Sequence, residues 1–107
     1  MHGPPVAKGI IMSTYIGFAK FTDQGLRTVK DTTRRADAVR DAAGKYGVRV
    51  REILWVQGDT DVLTLFEADD DLAASAFTLA VASAGNVRFQ TQRAFTREEM
   101  DAILQKL

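Results

Sequence analysis

The chain contains no cysteine and a single histidine, His2, and these two scarcities set the first limits on its chemistry. Without thiols there is no disulfide, no Cys-ligated zinc, no iron–sulfur cluster and no cysteine nucleophile. With one imidazole, at the second residue, a Ser-His-Asp triad, a proximal haem ligand or a multi-histidine metal site has nothing to draw on. Charge of one sign is lacking too: 14 basic and 14 acidic side chains cancel within 107 residues. A general attraction to phosphate backbones or anionic lipid is therefore not expected, and neither nucleic acid nor membrane is an expected partner. The uncharged stretch 72–84 falls well short of the roughly 20 residues that span a bilayer. A cytoplasmic protein with no bound cofactor is the expectation.

Proline is confined to Pro4 and Pro5, inside MHGPPVAKGIIM, where two glycines also argue against a regular element. The apolar run in that stretch is too short for a signal peptide. Residues 1–12 are read as a flexible tail or expression remnant and 13–107 as a single domain, a length that buries roughly two-thirds of the surface an unfolded chain exposes.

From residue 14 the pattern becomes regular. TYIGFAKF (14–21) is aromatic and β-branched, which predicts a strand. Ala36, Val39, Ala42, Ala43 and Tyr46 recur at helical spacing, with Gly47 placed to end the helix in a left-handed conformation and a short extra turn expected over 25–30. VRVREILWVQ (48–57) and DVLTLFEA (61–68) read as two strands of a hairpin. Asp69–Asp70–Asp71 suits the start of a helix over 72–84, which Gly85 closes. NVRFQTQRAF (86–95) reads as a fourth strand. Thr96 and Glu99 form a capping-box pattern before a helix carrying Met100, Ile103, Leu104 and Leu107.

The order βαββαβ plus a terminal helix predicts an α+β, ferredoxin-like fold: a four-stranded antiparallel sheet with helices on one face. Strict alternation in the second strand sets Val48, Val50, Leu54 and Val56 on one face and Arg49, Arg51, Ile53, Trp55 and Gln57 on the other. In the first strand it separates Ile16 and Phe18 from Tyr15 and Phe21. A second face that carries Trp and Ile asks for cover, and the chain itself, as a homodimer or higher homo-oligomer, is the expected partner. The apolar helix over 72–84 is expected between the sheet and the terminal helix, or else at a second oligomer contact.

FTDQGLRTVKDTTRRADA, VREILWVQGDTDVLTLFEADDD and GNVRFQTQRAFTREEM, in that order, closely resemble the GYD-domain family over about residues 14–100. The resemblance implies a ferredoxin-like fold of the dimeric α/β-barrel type and says little about activity. The family's Gly-Tyr-Asp signature, with one residue after the glycine, falls on Gly58-Asp59-Thr60-Asp61. Thr60 stands where the tyrosine is expected, so a role for a phenol ring does not carry over. The same hairpin carries a related pattern in the ligand-sensing domain of Lrp/AsnC regulators, which suggests effector binding near a subunit interface.

The candidate ligand-binding residues are Trp55, Gly58, Asp61 and Arg93. Asp59 and Asp61 also suit a turn, where Asp bonds nearby amides, and two carboxylates alone make a poor cation cage, so no metal site is expected. Arg93, if inward-facing, needs an acidic partner such as Asp61 or Glu52, or an anionic ligand. Thr22 to Gly25 reads as a helix-starting loop with a secondary claim to binding. Two functions remain in view. The favoured one is an oligomeric small-molecule-binding or accessory protein, with its pocket at a subunit boundary. The other is a cofactor-independent isomerase or monooxygenase with Asp61 as general base.

Overall fold

The computed structural model describes residues 12–107, so most of the expected N-terminal tail lies outside the described residues. The chain runs β1 (Ser13–Phe21), α1 (Asp23–Arg27), a 3-10 turn at Val29–Asp31 and α2 (Thr32–Ala42), which tightens into a second 3-10 turn at Ala43–Tyr46. Then come β2 (Val48–Trp55), β3 (Val62–Ala68), α3 (Asp71–Ser83), β4 (Val87–Ala94) and α4 (Arg97–Leu104). The strands form one antiparallel sheet in the order β2-β3-β1-β4. This is the ferredoxin-like α+β architecture expected from the order of elements.

Local chemistry accounts for the boundaries. Gly47 closes the α2 segment at φ 72°, a left-handed conformation that other residues adopt only with strain. Asp70 caps α3 by accepting from the Ala73 amide at 2.8 Å. Thr96 and Glu99 complete a reciprocal capping box on α4.

The helices cover the face that carries Tyr15, Val48, Val50, Phe66 and Ala68, against which Ala43, Ala74 and Phe77 pack. Tyr15 stacks on Phe66 at 5.4 Å between ring centroids, and Phe66 meets Phe77 at 5.1 Å in a tilted pair. Phe66 and Phe77 are fully buried, each contributing roughly 1.5–3 kcal/mol through burial alone.

Strand parity departs from strict alternation. The register shifts between Val50, opposite Phe66, and Glu52, opposite Leu65, so Arg51 is an inserted residue. This β-bulge reverses the facing of everything beyond it. Ile53 and Trp55 therefore pair with Thr64 and Val62 on the helix side, and Leu54 turns to the open face. The expected grouping of Val48 and Val50 with Leu54 is thus corrected, while the separation of Ile16 and Phe18 from Tyr15 and Phe21 matches the β1 register. Arg40 of α2 donates to the Val50 carbonyl beside the bulge at 3.2 Å.

A second correction concerns α3. It buries Ala74 and Phe77 on the sheet, but Leu72 and Leu79 are 81% and 70% exposed. The terminal helix does not cover them. Among the described residues, helix α4 buries none of its own side chains and shares no substantial interface with another element.

Candidate functional site

Between α2, α3 and the sheet lies a cavity of about 310 Å³. Its floor is built from alternate residues of the strands, Ala19, Val62, Thr64, Ile53 and Phe89. Phe89 reaches its place because β1 has glycine beside it: a Cβ on Gly17 would lie 2.5 Å from Phe89 Cε1. The roof comes from one stripe of α2, with Arg35, Val39 and Ala42 at helical spacing, and from Phe77, Ala80 and Val81 of α3. Phe21, Val87 and Asn86 close one side and Trp55 stands at another. The indole N–H of Trp55 donates to Thr32 Oγ1 at 3.0 Å, which ties the end of β2 to the start of α2.

The walls are mostly apolar, with aromatic rings from Phe21, Tyr46, Trp55, Phe77 and Phe89. Two polar groups stand out. Thr64 is only 4% exposed, and no side-chain hydrogen bond among the described residues engages its hydroxyl. Arg35 donates through Nη1 to the Thr28 carbonyl (2.8 Å) and hydroxyl (2.9 Å), and through Nη2 to the Gly25 carbonyl (3.2 Å). Among the described residues no carboxylate belongs to the lining.

Of the four residues singled out in the sequence, Trp55 lines this cavity and the other three lie elsewhere. Gly58 sits on the exposed β2–β3 loop at φ 127° with nothing within 4 Å of where a Cβ would be. Asp61 is engaged in the backbone: its N–H donates to the Ala19 carbonyl at 2.9 Å, its carbonyl accepts from Val56 at 2.9 Å, and its carboxylate accepts from the Phe21 amide at 2.9 Å. Its side chain thereby extends the β3–β1 ladder beyond the last regular pair. Asp59 is exposed on the same loop.

Arg93 lies toward the other end of the sheet, opposite Tyr15. Its acidic partner is Glu99 at 3.1 Å, not Asp61 or Glu52, because the β4 register sets it beside the start of α4. Its guanidinium covers the Phe95 ring at 4.5 Å and lies 5.7 Å from that of Tyr15. The Thr96 amide and then Arg93 hold the Glu99 carboxyl below its usual range. A smaller cavity of about 180 Å³ opens here between Tyr15, Asp71 and Arg93. The Tyr15 hydroxyl donates to Asp71 at 2.5 Å, and burial, followed by that bond, pushes its pKa up to about 12.

The segment Thr22 to Gly25 works as a latch. Thr22 Oγ1 accepts from the Gly25 amide at 3.1 Å and donates to the Gly85 carbonyl at 2.5 Å. The Thr22 amide donates to the Asn86 carbonyl at 3.0 Å. Among the described residues no group of three or more acidic or histidine side chains is placed to hold a metal ion, and no helix is long and apolar enough to cross a membrane.

Sequence reasoning passed over Arg35 and Thr64, though both carried a signal. Arg35 falls on the stripe of Val39, Ala42 and Tyr46, and Thr64 on the inward parity of Val62, Phe66 and Ala68. A polar residue on an apolar stripe is the observation that marks such a position.

The GYD domain profile matches residues 15–104, from the first buried ring to the end of α4. The chain belongs to the GYD domain family. Among solved structures, this GYD chain is similar in fold to the feast or famine regulatory protein from M. tuberculosis complexed with L-methionine. That likeness has a TM-score of 0.63 and 14% identity, covering 90% of this chain and 58% of the other. It is likewise similar to MtbAldR, with a TM-score of 0.63 and 12% identity over 91% of this chain and 60% of that one. The GYD chain therefore spans under two-thirds of either protein, and at such identities the likeness shows the fold alone. No curated protein matches it.

Proposed function

We propose that this GYD protein is a cytoplasmic, oligomeric small-molecule-binding protein whose ligand occupies the cavity between the sheet and helices α2 and α3. The cavity carries the reading. Its volume of about 310 Å³ falls at the lower end of the range for ligand sites, and it combines apolar walls with a few polar groups. The solved relative complexed with L-methionine is consistent with a scaffold of this shape serving recognition. In this chain Trp55 contributes a wall. Gly58, Asp61 and Arg93 belong to the hairpin loop and the sheet edge, where a subunit boundary would have to supply further groups for them to reach a ligand.

The partner in the oligomer is a second copy of the chain, docked on the open sheet face. Ile16, Phe18, Leu63 and Leu65 form its apolar centre with Leu54, which is 48% exposed. Arg49 and Arg51, both paired with Glu67 at 2.8 and 2.9 Å, provide a charged rim. An apolar centre with a charged border is the anatomy of a protein interface. The cytoplasmic placement rests on composition alone, since no cysteine calls for an oxidising compartment.

Nothing in the geometry favours an isomerase or monooxygenase using Asp61 as base, since that carboxylate is held by the Phe21 amide and is not part of the cavity. Native mass spectrometry of protein purified from its own host tests both parts of the proposal. A dimer or larger species carrying extra small-molecule mass is expected. A bare monomer would overturn it.

A further inference from the structure

We infer that the cavity selects a small aromatic carboxylate, with Arg35 as its anchor. The inference rests on this cavity being the ligand site, and it adds the ligand's class. Arg35 has five N–H donors, of which three are used, all on neutral oxygens of Gly25 and Thr28. Among the described residues it has no carboxylate partner. Among the described residues its Nε–H makes no hydrogen bond, and Nε–H lies on the side-on edge of the guanidinium that meets carboxylates.

A guanidinium at the border of an apolar cavity keeps its full charge with no counter-ion, in surroundings of lower dielectric than water. A ligand anion there gains more than it would at an open surface. A cationic ligand meets repulsion, and among the described residues no acidic side chain lines the cavity to offset it.

The rest of the lining sets the ligand's body. Phe21, Trp55, Phe77 and Phe89 offer ring faces and edges that suit a flat unsaturated group. The Thr64 hydroxyl, in a residue 4% exposed and unengaged by any side-chain bond, gives one donor or acceptor on the floor. A volume of about 310 Å³ corresponds to about ten water volumes, and hence to a body of roughly ten non-hydrogen atoms. One ring with a short acid-bearing arm satisfies all of these conditions.

The test uses three probes of the same size and shape: 3-phenylpropionate, 3-phenylpropanamide and 3-phenylpropylamine. Trp55 is the only tryptophan in the chain and lines the cavity, so its fluorescence reports occupancy directly. The carboxylate is expected to bind at least roughly ten-fold tighter than the amide, and the amine weakest, because a charge-assisted pair outweighs a neutral bond by about that factor. Arg35→Gln should bring the carboxylate-to-amide ratio close to one, with the carboxylate losing far more affinity than the amide. Arg35→Lys keeps the charge without the planar fork and should give an intermediate ratio, which serves if the glutamine variant does not fold. Equal binding of acid and amide, preference for the amine, or a ratio indifferent to Arg35 would overturn the assignment while leaving the cavity as a site. If none of the three changes Trp55 emission at millimolar concentration, the cavity reading fails and the carboxylate assignment falls with it.

Discussion

Gly25→Ala should be among the most damaging single-methyl additions in this protein, although the residue lies in a short helix where alanine is ordinarily favoured. A Cβ built on Gly25 would lie 2.1 Å from the Asn86 carbonyl oxygen, 3.0 Å from its carbon and 3.2 Å from its Cα. Ordinary contact begins at 3.4 Å, and both sides are backbone, so no side chain can swing away. Relief requires α1 and the α3–β4 turn to separate. That movement breaks the Thr22 amide bond to Asn86 (3.0 Å) and the Thr22 hydroxyl bond to Gly85 (2.5 Å). Two such bonds contribute about 1 kcal/mol each, overpacking adds about 1–3 kcal/mol, and alanine's helix preference returns up to about 1 kcal/mol. The net loss is on the order of 2–4 kcal/mol, or a fall in Tm of roughly 10–25 °C for a domain of this size.

Gly44→Ala is the matched control. It also lies in a helical turn, with nothing within 4 Å of its added Cβ. A gain of about 0.4–1 kcal/mol is expected there from the stiffer unfolded chain. Thermal and urea unfolding followed by circular dichroism would separate the two. If Gly25→Ala unfolds within about 0.5 kcal/mol of the parent, the close approach of α1 to Asn86 is not present in solution. Asn86 also lines the cavity and Arg35 bonds the Gly25 carbonyl, so the same variant should weaken probe binding.

Two further outcomes follow from named bonds. The Tyr15 phenol is pushed from 10.0 to about 12, so the native state holds its proton more tightly than the unfolded chain. This contribution is complete below pH 10 and is lost as pH climbs from about 10 to 12, at most about 2.7 kcal/mol in all. Urea midpoints measured across that interval should fall less steeply for Tyr15→Phe, and identical slopes would refute the assigned cause. Asp61→Ala removes the acceptor of the Phe21 amide and should destabilise by about 1–2 kcal/mol, while exposed Asp59→Ala should stay within about 0.5 kcal/mol. If Asp61→Ala keeps full stability and instead loses ligand binding, the aspartate belongs to a site rather than to the ladder.

Much of the architecture was legible because local chemistry and tertiary packing agree in it. Gly47, Asp70, Gly85 and the Thr96–Glu99 box each mark an element end that backbone geometry independently needs. Residues 15 to 21 alternate cleanly, so the two faces of β1 could be read directly. The course of α4 could not. Its apolar stripe shows that it wants a partner but not where the chain turns, and that is decided by Arg93 reaching Glu99 across the Phe95 corner. The cavity was invisible for a related reason. It is a gap between helices and sheet, and its size depends on how far the side chains from each layer reach toward one another.

The bulge at Arg51 decides which β2 side chains face the cavity. Strict alternation along β2 would carry Glu52 inward with Val48 and Val50, where an unpaired carboxylate is costly to bury. The inserted residue removes that conflict and leaves Glu52 exposed. It also exchanges the roles of the residues that follow. Ile53 and Trp55 go to the cavity, and Leu54 joins Ile16, Phe18, Leu63 and Leu65 on the open face. The apparent excess of large apolar side chains on both faces of one strand is therefore a consequence of reading it with a single parity. With the parity reversed halfway, the first half of β2 packs the core and the second half supplies a cavity wall, with Leu54 left for the surface. The acidic residue at an inward position was the available sign, since only a break in the pleat reconciles Glu52 with the apolar residues on either side of it.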